Sequence, residues 1–269
     1  METNSKKVWF ITGSSRGLGF EFAKAALERG DLVAATSIDP ERIEILTQQY
    51  GDRVWSAYLD VTDRGQAFDA MRKAKEHFGH IDVMISNAGY GHFGAVEEFS
   101  NEEFRHQLEV NLFGSLNVIQ AILPIMREQG SGHIIQLSSI GGTIAQPLVG
   151  AYNASKWAME GLCDALSQEV EQFGIKVTLV EPGPFKTDFN NASLVVKQPI
   201  EAYASMTAGF FEVIDPDTFE DAKIVAGKVL RIVDAEKVPL RVLVGTGMVD
   251  VVAKIYEQKI ATWEEWKKD

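Results

Sequence analysis

Residues 8–30 read VWFITGSSRGLGFEFAKAALERG, and the fold follows from how this stretch divides. Val8 to Thr12 is a short apolar run that stops at glycine, the pattern of a buried strand. From Gly17 the apolar residues recur at helical spacing, through Leu18, Phe22, Ala26 and Leu27, until Gly30 offers a C-terminal cap. Between strand and helix lies a G-x3-G-x-G turn, Gly13 to Gly19. Glycine lets the chain turn tightly and lets a ligand reach the backbone, and the helix beyond presents free N–H groups and positive partial charge to a phosphate. The spacing is neither G-x-G-x-x-G nor a P-loop, which would continue with Gly-Lys-Ser/Thr.

The strand–helix rhythm repeats. Leu32–Ser37, Val54–Leu59, Val83–Ser86, His133–Leu137, Lys176–Val180 and Arg241–Val244 read as further strands. Helices are predicted from Asp39-Pro40 (Asp as N-cap) to about Tyr50, over Thr62–Phe78, from the capping box at Ser100-Asn101-Glu102-Glu103 to Gly130, and from near Tyr152 to Phe173. This alternation predicts an α/β fold, a doubly wound parallel sheet of the Rossmann type with about seven strands, helices on both faces and right-handed crossovers. No composition shift divides residues 1–269, which read as a single domain. Residues 184–217 interrupt the rhythm with Pro184, Pro199 and Pro216 and with Phe185, Phe189, Phe210 and Phe211. An apolar, poorly periodic insertion of this length predicts a functional lid.

A 45% hydrophobic content fills the core of one large domain, and a net charge of −12 argues against nucleic acid or an anionic membrane as partner. Cys163 is the only cysteine, which excludes an intrachain disulfide and fits a reducing compartment; its neighbours suggest helix packing. Met1 to Lys7 is short and polar, and no run approaches the roughly 18 apolar residues of a membrane span. The expectation is a soluble cytoplasmic protein.

Chemistry is suggested by Ser139, Tyr152 and Lys156. Tyr152 and Lys156 stand at i and i+4, on one helix face. An ammonium beside a phenol lowers the tyrosine pKa from about 10, making Tyr152 a general acid or base, with Ser139 to hold the oxygen it serves. Ser138 is a neighbouring hydroxyl that competes for this place, and the thirteen-residue spacing to Tyr152 favours Ser139. The histidines lack ligand-like spacing, so no metal site is predicted.

These motifs occur in a telling order: the glycine turn, Asn87-Ala88-Gly89 after the fourth strand, Asn111 within Val110–Gly114, Ser139 with Tyr152-x3-Lys156, then Pro182-Gly183 with Thr187. Together, from about Lys7 to Asp188, they resemble the short-chain dehydrogenase/reductase family. The resemblance implies that Gly13, Ser15, Arg16, Gly17, Leu18 and Gly19 cradle a dinucleotide pyrophosphate. It places Asp60 and Val61 at the adenine, and Asn87, Ala88 and Gly89 along the cofactor, with Ser86 standing where an asparagine is usual. Pro182, Gly183 and Thr187 fall at the nicotinamide amide. Asn111, Ser139, Tyr152 and Lys156 match the four catalytic positions: Tyr152 protonates a carbonyl oxygen that Ser139 holds, Lys156 lowers the tyrosine pKa and binds the nicotinamide ribose, and Asn111 holds a water that contacts the lysine. The last eighty or so residues carry no such motif.

The implied reaction is hydride transfer between nicotinamide and a carbonyl or secondary alcohol. Other readings of the same fold are an epimerase or dehydratase, or a non-enzymatic dinucleotide sensor; the four intact catalytic positions speak against the sensor. Thr36 stands where NAD-dependent relatives usually carry Asp, and Arg16 is common among NADP-dependent ones. NADP(H) is therefore the expected cofactor, bound with help from Ser37, while NAD(H) stays open because Ile38 replaces a frequent arginine. The expected substrate pocket comprises Phe93, Ser139, Ala145, Gln146, Tyr152, Phe185 and Phe189, and suits a neutral ketone or aldehyde. Trp157, Met159, Leu162, Leu166 and Val170 spread around the helix from Tyr152, which predicts a homodimer or homotetramer.

Overall fold

The computed structural model describes residues 6–187, 194–212 and 215–268. Its strands are β1 (Val8–Thr12), β2 (Leu32–Ser37), β3 (Val54–Tyr58), β4 (Val83–Ser86), β5 (Gly91–Phe93), β6 (Gly132–Leu137), β7 (Ile175–Pro182), β8 (Phe185–Lys186), β9 (Leu194–Val196), β10 (Glu220–Asp221) and β11 (Arg241–Val244). Its α-helices are α1 (Gly17–Glu28), α2 (Glu44–Tyr50), α3 (Arg64–Phe78), α4 (Asn101–Leu108), α5 (Ser115–Gln129), α6 (Gly150–Val170), α7 (Glu201–Glu212), α8 (Lys223–Val233) and α9 (Met248–Glu265).

Seven strands form one parallel sheet in the order β11-β7-β6-β4-β1-β2-β3, as the sequence predicts. Side-chain alternation along β1 builds both faces. Val8 and Phe10 pack with Met71 of α3, Ile119 of α5 and Met159 of α6, while Trp9 and Ile11 pack with Phe22 of α1 and Val229 of α8. Each large side chain buried in this way contributes about 1.5–3 kcal/mol before entropy is counted. Strand order reverses between β1 and β4, and ligands of such sheets bind beyond the carboxyl ends of the strands at that point.

The expected long helix from Ser100 is broken. The Ser100–Glu103 capping box opens α4, but Glu109–Gly114 winds as a π-helix before α5 begins. Asn101–Gln129 is long and apolar enough to cross a membrane by length and composition, yet Val118, Ile119, Ile122 and Met126 are spent on the core. Asp39 does not cap its helix with its side chain. It pairs instead with Arg42 at 3.0 Å across a short 3-10 turn.

Within the insertion, β9 pairs with β5 and α7 follows, although this stretch is poorly periodic. Helices α8 and α9 likewise lie where no element was predicted.

Candidate active site

The glycine turn is shaped by contact and by conformation. Gly13 and Gly17 have φ of +67° and +55°, which side chains other than glycine rarely adopt. A Cβ on Gly19 would lie 2.2 Å from the Gly13 carbonyl oxygen and 2.5 Å from Asn87 Nδ2. Asn87 is the clasp of this arrangement: its Nδ2 donates to the carbonyls of Thr12 and Gly13 at 3.0 and 3.2 Å. The backbone N–H groups of Asn87 and Ala88 both donate to Thr12 Oγ1. Gly89 lies against Asn111, with a Cβ there 3.1 Å from its Oδ1. The ends of β1 and β4 are thus locked at the switch point.

A cofactor fits here on structural grounds. No side chain caps the N-terminus of α1, so the first-turn N–H groups that a phosphate would use are not taken by the preceding residue. A cleft of about 550 Å³ opens beside the turn, lined by Arg16, Gly17, Phe20, Lys186, Thr187 and Lys223 among others. Lys186 and Lys223 bring positive charge to the cleft, opposed by Glu21 and by Asp221, which pairs with Lys223 at 4.0 Å; no local motif marks them, because only the fold brings β8 and α8 to this edge. Leu18 packs on the core and anchors the start of α1.

At the end of β2, Ser37 Oγ donates to Ser15 Oγ at 2.8 Å and accepts from the Asp39 N–H at 3.0 Å. Thr36 is buried, with Oγ1 donating to the Ile11 carbonyl at 3.1 Å, so its hydroxyl serves the fold. Asp60 binds the Thr62 hydroxyl and N–H at 2.7 and 3.0 Å, while Val61 is buried beneath the π-helical segment at Gly114. Pro182 ends β7. Gly183 donates to the Val244 carbonyl and packs on Met248, and Thr187 faces Gly17 across the cleft.

The structure brings together the four residues that the resemblance assigns to catalysis. Ser139 is hydrogen-bonded to Tyr152, and its Oγ also accepts from the Gly141 N–H at 3.0 Å. Ser138 turns away: its hydroxyl is buried without a hydrogen-bond partner among the described residues, behind Gly142. Lys156 Nζ lies 5.6 Å from the centroid of the Tyr152 ring and donates to the Leu137 carbonyl at 2.8 Å. Asn111 sits in the π-helical segment. Its Nδ2 donates to the Tyr90 carbonyl and to Ser155 Oγ, which donates in turn to the Tyr152 carbonyl at 2.7 Å. π-helical turns mark functional sites often, and this one fixes Asn111 between β5 and α6.

Electrostatically the site departs from the simple expectation. Burial lowers Lys156 to about 8, opposed by the Glu160 carboxylate. Burial raises the Tyr152 phenol, opposed by its hydrogen bond to Ser139. In the protein alone the desolvation of Tyr152 therefore outweighs the help it receives, and the expected lowering by Lys156 is not the net result.

Among the residues expected to line a substrate pocket, Phe93 packs against Phe210 and Phe211 of α7 with ring centroids 5.7 and 6.0 Å apart. Ala145 and Gln146 are exposed on the loop before α6. Phe185 is not a pocket residue: β8 pairs with β10 and its ring is buried in the core with α1 and α8. Phe189 lies outside the described residues. The described part of the insertion is tied down by carboxylates no motif announced. Lys197 pairs with Glu103 at 2.7 Å, the Ile200 N–H donates to Glu98, and Tyr203 donates to Glu97. The Lys197 hydrogen bond holds Glu103 down at about 2.

His133 is buried against Thr178 Oγ1 at 3.0 Å and held neutral, its pKa pushed down to about 4 by burial. Burial pushes the Cys163 thiol up to about 12, an inert packing residue.

Comparison with known proteins agrees with this geometry. The short chain dehydrogenase family model matches residues 7–195. Oxidoreductase BOA17 of Botryotinia fuckeliana is 43% identical over 266 residues, covering 97% of each chain. A short-chain dehydrogenase from Streptomyces avermitilis superimposes with a TM-score of 0.92 at 35% identity, over 98% of this chain and 97% of that one. An alcohol dehydrogenase from Thermococcus sibiricus, solved with 5-hydroxy-NADP, gives 0.74 at 26% identity, over 89% of this chain and 96% of that one. With the family's glycine turn, its tyrosine–lysine pair and its seven-stranded sheet all in place, this chain belongs to the short-chain dehydrogenase/reductase family of NAD(P)-dependent oxidoreductases.

Proposed function

We propose that the protein reduces a neutral ketone or aldehyde with apolar flanks, using NADP(H), and oxidises the matching secondary alcohol in reverse. The observation that carries this reading is the hydrogen bond between Ser139 and Tyr152, with buried Lys156 beside the phenol ring. When bound, the reduced nicotinamide supplies the hydride. Tyr152 delivers its phenolic proton to the carbonyl oxygen as that oxygen gains charge, and Ser139 donates a hydrogen bond to the same oxygen. Lys156 holds positive charge beside the phenol and so stabilises the phenolate left behind. Asn111 keeps α6 in place through Ser155.

The glycine turn and the N-terminus of α1 would hold the pyrophosphate. Asp60 and Val61 would meet the adenine, Asn87 to Gly89 would line the middle, Lys156 would bind the ribose, and Pro182, Gly183 and Thr187 would meet the nicotinamide amide. NADP(H) is favoured because the Ser15–Ser37 hydroxyl pair closes the end of β2, Arg16 follows Ser15 in the turn and lines the cleft, and β2 itself carries no carboxylate for a ribose hydroxyl. Phe93, Phe210 and Phe211 support an apolar substrate. Initial rates with NADPH and NADH on a panel of ketones and aldehydes, followed by absorbance of the reduced cofactor, test this reading. Turnover of aryl or alkyl ketones with NADPH supports it, and failure across the panel, or a large NADH preference, overturns it.

The same reading includes a cytoplasmic enzyme that works as a homodimer or homotetramer. Trp157, 41% exposed on α6, supports self-association. A monomer in light scattering would contradict it.

A further inference from the structure

Glu160 stands one turn beyond Lys156 on α6 and is 8% exposed; Glu181 on β7, just before Pro182-Gly183, is 2% exposed. The two carboxyl groups lie within hydrogen-bonding reach of each other. Neither Oε1 finds a donor among the described residues. Ionising both of two buried carboxyl groups this close is costly, which favours the state with one proton between them.

The surrounding charges agree. Arg241 of β11 directs Nε to Glu160 Oε2 at 3.0 Å, lies 3.9 Å from Glu181 Oε1, and gives Nη2 to Asp164 Oδ2 at 3.0 Å. Lys156 and Cys163 are the other titratable neighbours on α6, the thiol being neutral. From the loop after β6, Gly142 comes close to Glu160: a Cβ there would lie 3.2 Å from Glu160 Oε1 and 2.6 Å from Ser138 Oγ. With Glu181 protonated, Lys156 and Arg241 balance Glu160 and Asp164; with it ionised, a buried negative charge is left over. Burial, with the Glu160 charge beside it, raises Glu181 to about 7.

We propose that Glu160 and Glu181 share one proton and act as a positioning pair for hydride transfer, Glu160 sustaining the positive charge of Lys156 one helical turn away. The kinetic part rests on the reductase reading; the shared proton and its effect on Lys156 do not. Ionised Glu160 raises the proton affinity of Lys156 against the burial that lowers it. With Glu160 ionised, the lysine stays charged to higher pH than burial alone would allow.

NMR of the full chain without cofactor, labelled with [13Cδ]glutamate and [13Cε]lysine and titrated from about pH 5 to about pH 9, tests the pair before any turnover is needed. The wild type should show a glutamate carboxyl titrating near 7, absent in Glu181→Gln and shifted down in Glu160→Gln. The Lys156 signal, identified by its loss in Lys156→Arg, should titrate about one pH unit lower in Glu160→Gln. The alkaline limb of kcat for carbonyl reduction should move down with it. A wild type with no glutamate titrating near neutrality overturns the shared proton. An unmoved Lys156, or a kcat lowered equally at every pH, overturns the positioning role. Glu181→Gln keeps the Glu160–Arg241 ion pair and decides the shared proton even if Glu160→Gln does not fold. A failure of every carbonyl to turn over would sink the reductase reading and leave the NMR result standing.

Discussion

Lys156 donates its ammonium to the Leu137 carbonyl at 2.8 Å, so the last residue of β6 fixes the charge that stands beside Tyr152. Sheet and helix α6 thereby place the lysine before a substrate arrives, and burial makes its proton less tightly held, at about 8. Reduction needs Lys156 charged and Tyr152 protonated, so activity is lost as pH rises through the first of these pKa values. For carbonyl reduction kcat/KM should hold near neutrality and fall above about pH 8. A plateau extending to about pH 10 would contradict the assignment.

The two adjacent serines separate cleanly. Ser139→Ala removes the donor aimed at the reacting oxygen and should lower kcat by roughly 10²–10³-fold. Ser138→Ala removes a buried hydroxyl that has no hydrogen-bond partner among the described residues, so it deprives nothing of a hydrogen bond and should leave kcat within about twofold. Equal losses from both variants would reverse the choice of serine.

Gly19→Ala tests the turn. Its Cβ meets backbone at 2.2 Å and the Asn87 amide at 2.5 Å, so the turn must shift. Overpacking of this kind costs about 1–3 kcal/mol, and NADPH should bind at least about tenfold more weakly by calorimetry. Unchanged affinity would show that the cofactor does not depend on this turn.

His133 makes stability depend on pH. Its folded pKa of about 4 lies below the ordinary 6.5, so the unfolded chain binds a proton that the folded one refuses between those values. The resulting stability is present above about 6.5 and is lost as pH falls through about 4, amounting to about 3 kcal/mol. Urea unfolding across that window should show His133→Gln with a flatter pH dependence than the wild type. An equal slope in both proteins would assign acid sensitivity elsewhere.

The parallel sheet was legible because each of its strands is a short apolar run bounded by glycine, proline or a helix start, and β11 was found with the bounds observed, Arg241–Val244. The glycine turn, Ser139 and the Tyr152–Lys156 pair could be singled out because they stand at fixed local spacings, while Asn87 came only from the family resemblance. What failed depended on contacts distant in sequence. Phe185 was expected in the pocket with the other aromatics of the insertion, yet pairing of β8 with β10 turns it into the core. The π-helical turn at Asn111 has the composition of any apolar helix, since its register is set by Val61 packing on Gly114 and by the Tyr90 backbone. The anchoring of Lys197 on Glu103 joins residues far apart in the chain that no periodicity connects. Glu160 and Glu181 carry no sequence signal that links them, and become a pair only when β7 lies beneath α6.

The central claim, that Tyr152 is the proton donor, is tested most directly by Tyr152→Phe. This variant keeps the ring beside Lys156 and removes only the hydroxyl. Single-turnover oxidation of bound NADPH by a ketone that the wild type reduces should slow by at least about 10²-fold, with NADPH affinity unchanged within about twofold. Undiminished turnover by the phenylalanine variant would contradict the account.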